Sequence, residues 1–209
     1  MISIIIPVKN QLEFTKLILQ DIKEKIISEY EVIIINDNST DWTDEWIRNN
    51  FKGIYISSDE DIWVNKAWNI WVENSSGEYI LIINNDIVFT EWIDIKLIDW
   101  FDEWISIVCP TSTIWPDKWK LPLVKKRDNI CGWCYMMRRE DWKPIDSRLD
   151  IWYWDDWIYI TNNKKVKYIC WIIHHYESRT LNSPEIKQQI QKRIDNDKLN
   201  WKIILDEIK

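Results

Sequence analysis

A chain of 209 residues with 46% hydrophobic and 29% charged side chains has the balance of one soluble globular domain with room for a full core. Its net charge of −7 argues against a nucleic-acid-binding surface. No apolar run approaches the roughly 20 residues that span a bilayer, no signal-like segment precedes the first strand, and Cys109, Cys131, Cys134 and Cys170 read as the reduced thiols of a cytoplasmic protein.

Residues 2–8, ISIIIPV, form a continuous apolar run, as a strand buried on both faces requires. Asn10 stands where it can cap a helix whose apolar positions are Phe14, Leu17, Ile18, Ile22 and Ile26. EVIIIND (31–37) is a second buried strand, and the polar turn NSTDWTDE leads into a short helix through Ile47. GIYISS (53–58) is a third strand. Val64, Ala67, Trp68 and Trp71 recur at helical spacing, and SSGEYILIIN supplies a turn and a fourth strand. Residues 91–103 predict a helix and 105–110 another strand. Strand and helix alternate throughout, which predicts an α/β fold with a mainly parallel sheet and helices on both faces.

The second half is less regular. Residues 111–129 read as a loop carrying Pro116, Pro122 and the basic cluster Lys125, Lys126 and Arg127. ICGWCYMMRRE predicts a strand entering a short helix, and VKYICWIIHHY (166–176) another strand. Ser183 and Pro184 open a last helix through Ile186, Ile190, Ile194 and Leu199 toward Ile204. The CGWC segment has the spacing of a redox pair, but it runs along a strand rather than opening a helix.

In an open parallel sheet, ligands bind beyond the carboxyl ends of the strands. Three strands here end in polar signatures: PVKN, NDNSTD and, after YILII, Asn84, Asn85 and Asp86. Each alone is ordinary turn chemistry. Together on one sheet edge they describe a site.

The ordered segments SIIIPVKNQLEFTKLILQDI, VIIINDNSTDWTDEWI, NKAWNIWVENSSGEYILIINNDIVF, MMRREDW and WYWDDW resemble the family 2 glycosyltransferases, over roughly residues 2 to 180. The resemblance implies a GT-A fold: a Rossmann-like, mainly parallel sheet flanked by helices, with a smaller acceptor-side region. It divides a single domain, 1–209, into a nucleotide-binding half (1–110), an acceptor and catalytic half (111–182) and a C-terminal helix (183–209). By the same resemblance, Pro7 and Asn10 lie in the first nucleotide-contacting loop, Asp37 contacts the base or ribose, and Asp41 is the acid of the following turn. Asn84, Asn85 and Asp86 stand where the family carries its DxD motif. There Asn84 replaces the first acid, Asn85 belongs to the donor contact, and Asp86 holds a divalent cation, Mn²⁺ or Mg²⁺, as hard carboxylate oxygens suit. Asp155 and Asp156 match the family's acid pair, whose second member is the general base of inverting enzymes. His174 or His175 is the implied third ligand of the metal or diphosphate, and strand alternation lets only one face the site.

The implied activity is sugar transfer from a nucleotide-diphosphate sugar to a hydroxyl on a glycan, lipid-linked or protein acceptor, in glycan or polysaccharide synthesis. It belongs in the cytoplasm, with peripheral contact at the inner face of the membrane left open. The alternative is an inactive relative that binds nucleotide or glycan. A dehydrogenase is excluded by the absence of GxGxxG after the first strand.

Composition adds one anomaly: 17 Trp and 3 Gly, where average usage would give about 15 Gly. Trp42, Trp63, Trp71, Trp133 and Trp154 fall where the family commonly carries Gly. The abundance of Ile, Asn, Lys and Asp fits AT-rich coding DNA, so that UGA codons meant as glycine are expected among them.

Overall fold

The computed structural model describes residues 1–58, 64–112, 132–151, 153–162, 165–176 and 184–208. In chain order the elements are β1 (Ile2–Val8), α1 (Leu12–Lys25), β2 (Tyr30–Asp37), α2 (Thr43–Asn50), β3 (Ile54–Ser58), α3 (Val64–Glu73), β4 (Tyr79–Ile83), β5 (Ile87–Phe89), α4 (Ile93–Ile98), β6 (Ile105–Ser112), β7 (Cys134–Arg138), α5 (Trp154–Thr161), β8 (Lys165–His175) and α6 (Pro184–Glu207). A 3-10 turn, Arg139–Asp141, follows β7.

The strands make one sheet in the order β3-β2-β1-β4-β7-β6-β8-β5. Strands β1 to β4, β6 and β8 point one way. Strand β7 runs against both its neighbours, and β5 against β8. Period-2 alternation gives each strand two apolar faces. Ile4, Ile6, Ile34 and Leu81 face α1, α2 and α4 through Ile18, Ile22, Ile47, Ile93 and Leu97. Ile5, Ile33, Ile35, Ile82, Tyr135 and Met137 face α3, α5 and α6 through Trp68, Trp71, Trp154, Ile158, Trp201 and Ile204. Each buried Ile contributes about 1.5–3 kcal/mol relative to exposure, which makes the central strands the rigid part of the molecule.

The structure departs from the sequence reading in several places. The helix predicted over 91–103 is limited to Ile93–Ile98. Beyond it Asp102 bonds locally, its Oδ1 accepting the Trp104 N–H at 2.7 Å, and such Asx bonding competes with helix continuation. The short β5 was not anticipated. Neither was α5, whose first turn carries Asp155 and Asp156. Asn10 does not cap α1. Gln11 occupies that position, in the left-handed region at φ 65° and without a side-chain cap bond. Within the loop predicted over 111–129, Thr111 and Ser112 extend β6. The rest of that loop with its basic cluster, and Ser183, lie outside the described residues, and α6 opens directly at Pro184.

Candidate nucleotide and catalytic site

Strands β2, β1 and β4 are parallel neighbours, so their carboxyl ends emerge side by side. Pro7 is half-buried near the end of β1, opposite Ile35. Just beyond, Lys9 Nζ donates to the Asp37 carbonyl at 3.0 Å and lies 3.5 Å from Asp37 Oδ2. These side chains are 24% and 22% exposed, a setting in which the ion pair orients Asp37 more than it stabilises the fold. Asn10 has turned toward the β2 loop. Its N–H donates to Ser39 Oγ at 2.7 Å, and its Oδ1 accepts the N–H groups of Thr40 at 2.7 Å and Asp41 at 3.2 Å. Asn10 and Asn38 both hold positive φ, which Asn tolerates better than most residues. Asp41 in turn accepts the Thr43 N–H at 2.9 Å, satisfying one orphan donor at the start of α2. Asn10 therefore staples the two loops together, a role its position before a helix concealed.

The turn between β4 and β5 carries Asn84, Asn85 and Asp86. Asn85 is buried, and its amide donates to Thr15 Oγ1 at 3.1 Å and to the Asn10 carbonyl at 3.5 Å. This side chain is committed to holding the turn against α1. Asp86 is 5% exposed. Its carbonyl accepts the Tyr176 N–H at 2.9 Å, and the Asn84 N–H donates to the Trp133 carbonyl at 2.9 Å. Strand pairing sets His175 opposite Ile87 and His174 opposite Val88, so the backbone of β8 brings both histidines beside the Asp86 turn; their side chains lie outside the described residues. Among the described residues no three His, Cys, Asp or Glu side chains gather into a metal-binding group. The donors the turn itself offers, a buried carboxylate and an amide oxygen, fit a hard divalent cation.

Behind Asp37 lies a cluster that the sequence reading missed. Asp44 Oδ1 accepts from Asn36 Nδ2 at 3.1 Å, Ser57 Oγ at 2.9 Å and the Tyr55 hydroxyl, and Oδ2 accepts Arg48 Nε at 2.8 Å. The Arg48 hydrogen bond, then those from Tyr55 and Ser57, hold the Asp44 carboxyl well below the usual aspartate range. Burial and Asp44 push Tyr55 up to about 12. Asn36 closes the circuit by accepting the Ser39 N–H at 3.2 Å. The loop from Asp37 to Asp41 is thus braced from both sides.

Helix α5 opens at Trp154 after Tyr153 in the left-handed region, φ 66°. Asp155 and Asp156 occupy its first turn, where unpaired N–H groups favour negative charge. Burial raises the Asp155 pKa, opposed by hydrogen bonds from its own N–H and that of Asp156. Asp155 lies close enough to the buried Tyr135 to raise the phenol further, after burial and Cys109. Tyr135 pairs with Ile82 of β4, the strand that leads into the turn of Asn84. Because Asp155 titrates higher folded than unfolded, its favourable contribution is complete below the ordinary value of 3.8 and is lost as pH rises through the folded value. Asp155→Asn is accordingly expected to raise the melting temperature at pH 7 and to bring no such gain near pH 3, as thermal unfolding at the two pH values would read.

The segment before α5 is held from the C-terminal helix. Asp197, fully buried on α6, accepts the N–H groups of Asp150 at 2.9 Å and Ile151 at 2.8 Å. Arg193 Nη1 bonds Asp150 Oδ2 at 2.7 Å, Lys66 Nζ stands 3.1 Å from Asp150 Oδ1, and Tyr153 stacks on Trp201 with centroids 5.3 Å apart. The sequence does carry a signal for this: Asp197 sits in the apolar stripe Ile194, Trp201, Ile204, where a charge needs a reason.

A doubly wound sheet with nucleotide-type loops at its carboxyl edge and an acid pair on a separate helix defines a GT-A domain. The family model for glycosyl transferase family 2 matches residues 3–146, and the chain belongs to that family. The match ends before Asp155 and Asp156. An uncharacterized glycosyltransferase of Rickettsia bellii (strain RML369-C) is 31% identical over 90 residues, 42% of this chain and 13% of the relative. Among solved structures, the mannosyltransferase PcManGT from Pyrobaculum calidifontis, in complex with GDP-Man and Mn²⁺, superposes with a TM-score of 0.66 at 16% identity, covering 86% of this chain and 58% of that one. Glucosyl-3-phosphoglycerate synthase from Mycobacterium tuberculosis, with Mn²⁺, UDP and phosphoglyceric acid, gives 0.63 at 14% identity over 92% of this chain and 74% of its own. S. aureus TarS 1-349 with UDP-GlcNAc gives 0.63 at 14%, over 93% and 66%. The chain thus spans a small part of the curated relative and somewhat over half of the mannosyltransferase. Among the described residues no helix is long and apolar enough to cross a membrane.

Proposed function

We propose that the chain transfers a sugar, with inversion, from a nucleoside-diphosphate donor to an acceptor hydroxyl in glycan or polysaccharide synthesis. The observation that carries this reading is the braced edge at which Lys9 and Asn10 meet the loop from Asp37 to Asp41 beside the Asp86 turn. Asp37 is the acceptor for a base or ribose donor group. Asp86 and Asn84, joined by a histidine of β8, are the oxygen and nitrogen donors for Mn²⁺ or Mg²⁺, which when bound neutralises charge on the diphosphate leaving group. Asp156 takes the proton from the acceptor hydroxyl as its oxygen attacks the anomeric carbon. Asp155, its neighbour in the first turn of α5, supports that geometry. The donor class puts this work in the cytoplasm, at the inner membrane face where the acceptor is lipid-linked. A screen of nucleotide sugars for Mn²⁺-stimulated donor hydrolysis tests the reading; no turnover of any donor, with nucleotide still bound, would favour a binding protein instead. A buried Trp154 packed directly before the acid pair is what supports that second reading.

For the nucleotide itself, Asp37→Ala is expected to weaken UDP or GDP affinity by roughly 1–3 kcal/mol, the range for losing a polar partner. Calorimetry on the folded variant reads it, and an unchanged affinity removes Asp37 from the site.

A further inference from the structure

The geometry sorts the tryptophans into two kinds. Trp157 and Trp201 are at home: Trp157 Nε1 donates to the Pro144 carbonyl at 2.9 Å, and Trp201 stacks on Tyr153 at an interplanar angle of 11°. The face of the sheet under α3 and α5 is different. There Trp68, Trp71, Trp154 and Tyr135 are packed together out of water. The Trp68 and Trp154 centroids lie 4.1 Å apart at an interplanar angle of 49°, closer than the about 4.5–7 Å that aromatic pairs adopt. Among the described residues the Trp68 and Trp71 indole N–H groups and the Tyr135 hydroxyl, all buried, have no hydrogen-bond partner. Overpacking and unsatisfied donors in one place are what a core shows when side chains larger than it was shaped for are put into it. At the opposite extreme, Trp42 is 73% exposed in the turn between Asp41 and Thr43, where its ring buries little.

We propose that the working residues at positions 42, 71 and 154 are glycine, encoded by UGA codons that the source organism reads as glycine. Trp68 and Tyr135 then keep their places. The volume vacated at 71 and 154 opens a pocket beside Asp155, in which water or a substrate hydroxyl reaches the Tyr135 hydroxyl and the Trp68 N–H. Positions 42, 71 and 154, and not 68, are singled out because they are the ones at which the resembled family commonly carries glycine; the inference stands on packing, composition and that resemblance, and does not depend on sugar transfer.

Two measurements test it. The coding DNA is expected to show UGA at 42, 71 and 154 and UGG at 157 and 201; UGG at 42, 71 or 154 overturns the proposal. Independently, the full chain is made as written and as the Trp42→Gly, Trp71→Gly, Trp154→Gly triple variant, and both are unfolded in urea. Removing two buried indoles from a core built for them lowers the midpoint. Here the glycine chain is expected to have the higher midpoint, and a lower one, or failure of that chain to fold where the tryptophan chain folds, overturns the proposal. Because no activity is read, the outcome is separable from whether the chain transfers sugar.

Discussion

Replacing Asp156 by asparagine is expected to slow sugar transfer by about 10²–10⁴-fold, the usual cost of removing a general base, while leaving donor affinity unchanged. The argument is positional. The edge proposed for the donor is built on β1, β2 and β4 and braced by Asn10, Asn36 and Asp44. Asp156 belongs to none of that; it stands in the first turn of α5, held through Asp150 and Asp197. Consecutive residues on a helix diverge by about 100°, so Asp155 and Asp156 cannot present their carboxyls in the same direction. Asp155 is the more enclosed of the two, burial raising its pKa. Asp155→Asn should therefore cost less in rate than Asp156→Asn. Steady-state transfer together with calorimetric donor binding would separate the two, and parental rates in both single variants would exclude an inverting mechanism based on this pair.

Asp86→Ala is expected to lower Mn²⁺ affinity in the presence of UDP or GDP by at least about 10–100-fold, since even partners outside a metal's immediate ligands typically cost that much. The fold should survive. Asp86 is tied to the sheet by its backbone carbonyl, which accepts from Tyr176, and an alanine keeps that bond. Titration of the ion into nucleotide-loaded protein, with circular dichroism as the control, checks both halves of the expectation. Undiminished Mn²⁺ binding would place the cation elsewhere.

What could be read from the sequence was governed by how local its physical cause is. Strands β1, β2 and β4 are buried on both faces, so Ile2 to Val8 and Tyr79 to Ile83 announce themselves as apolar runs. The convergence of Asn10, Asp37 and Asp86 follows from parallel topology alone. The helix at Trp154 was hidden because WYWDDW offers aromatic residues without a period, and its start depends on a left-handed Tyr153 that no propensity predicts. Asn10 was read as a cap because its actual partners lie 29 to 31 residues away. The brace at Asp44 needs Tyr55 and Ser57 from the next strand, and Asn85 needs Thr15 from α1. Such side chains acquire their meaning only when separate segments meet. Of the four cysteines, Cys109 and Cys134 lie among the described side chains, and both are buried.

The grip of α6 on the segment before α5 means that the start of α5 is set from the far end of the chain, by Asp197, Arg193 and Trp201. A substitution at Asp197 thus acts on the backbone of Asp150 and Ile151, 47 and 46 residues earlier, while the hydrogen bonds of Asn10 and Asp44 at the opposite part of the chain involve none of these residues.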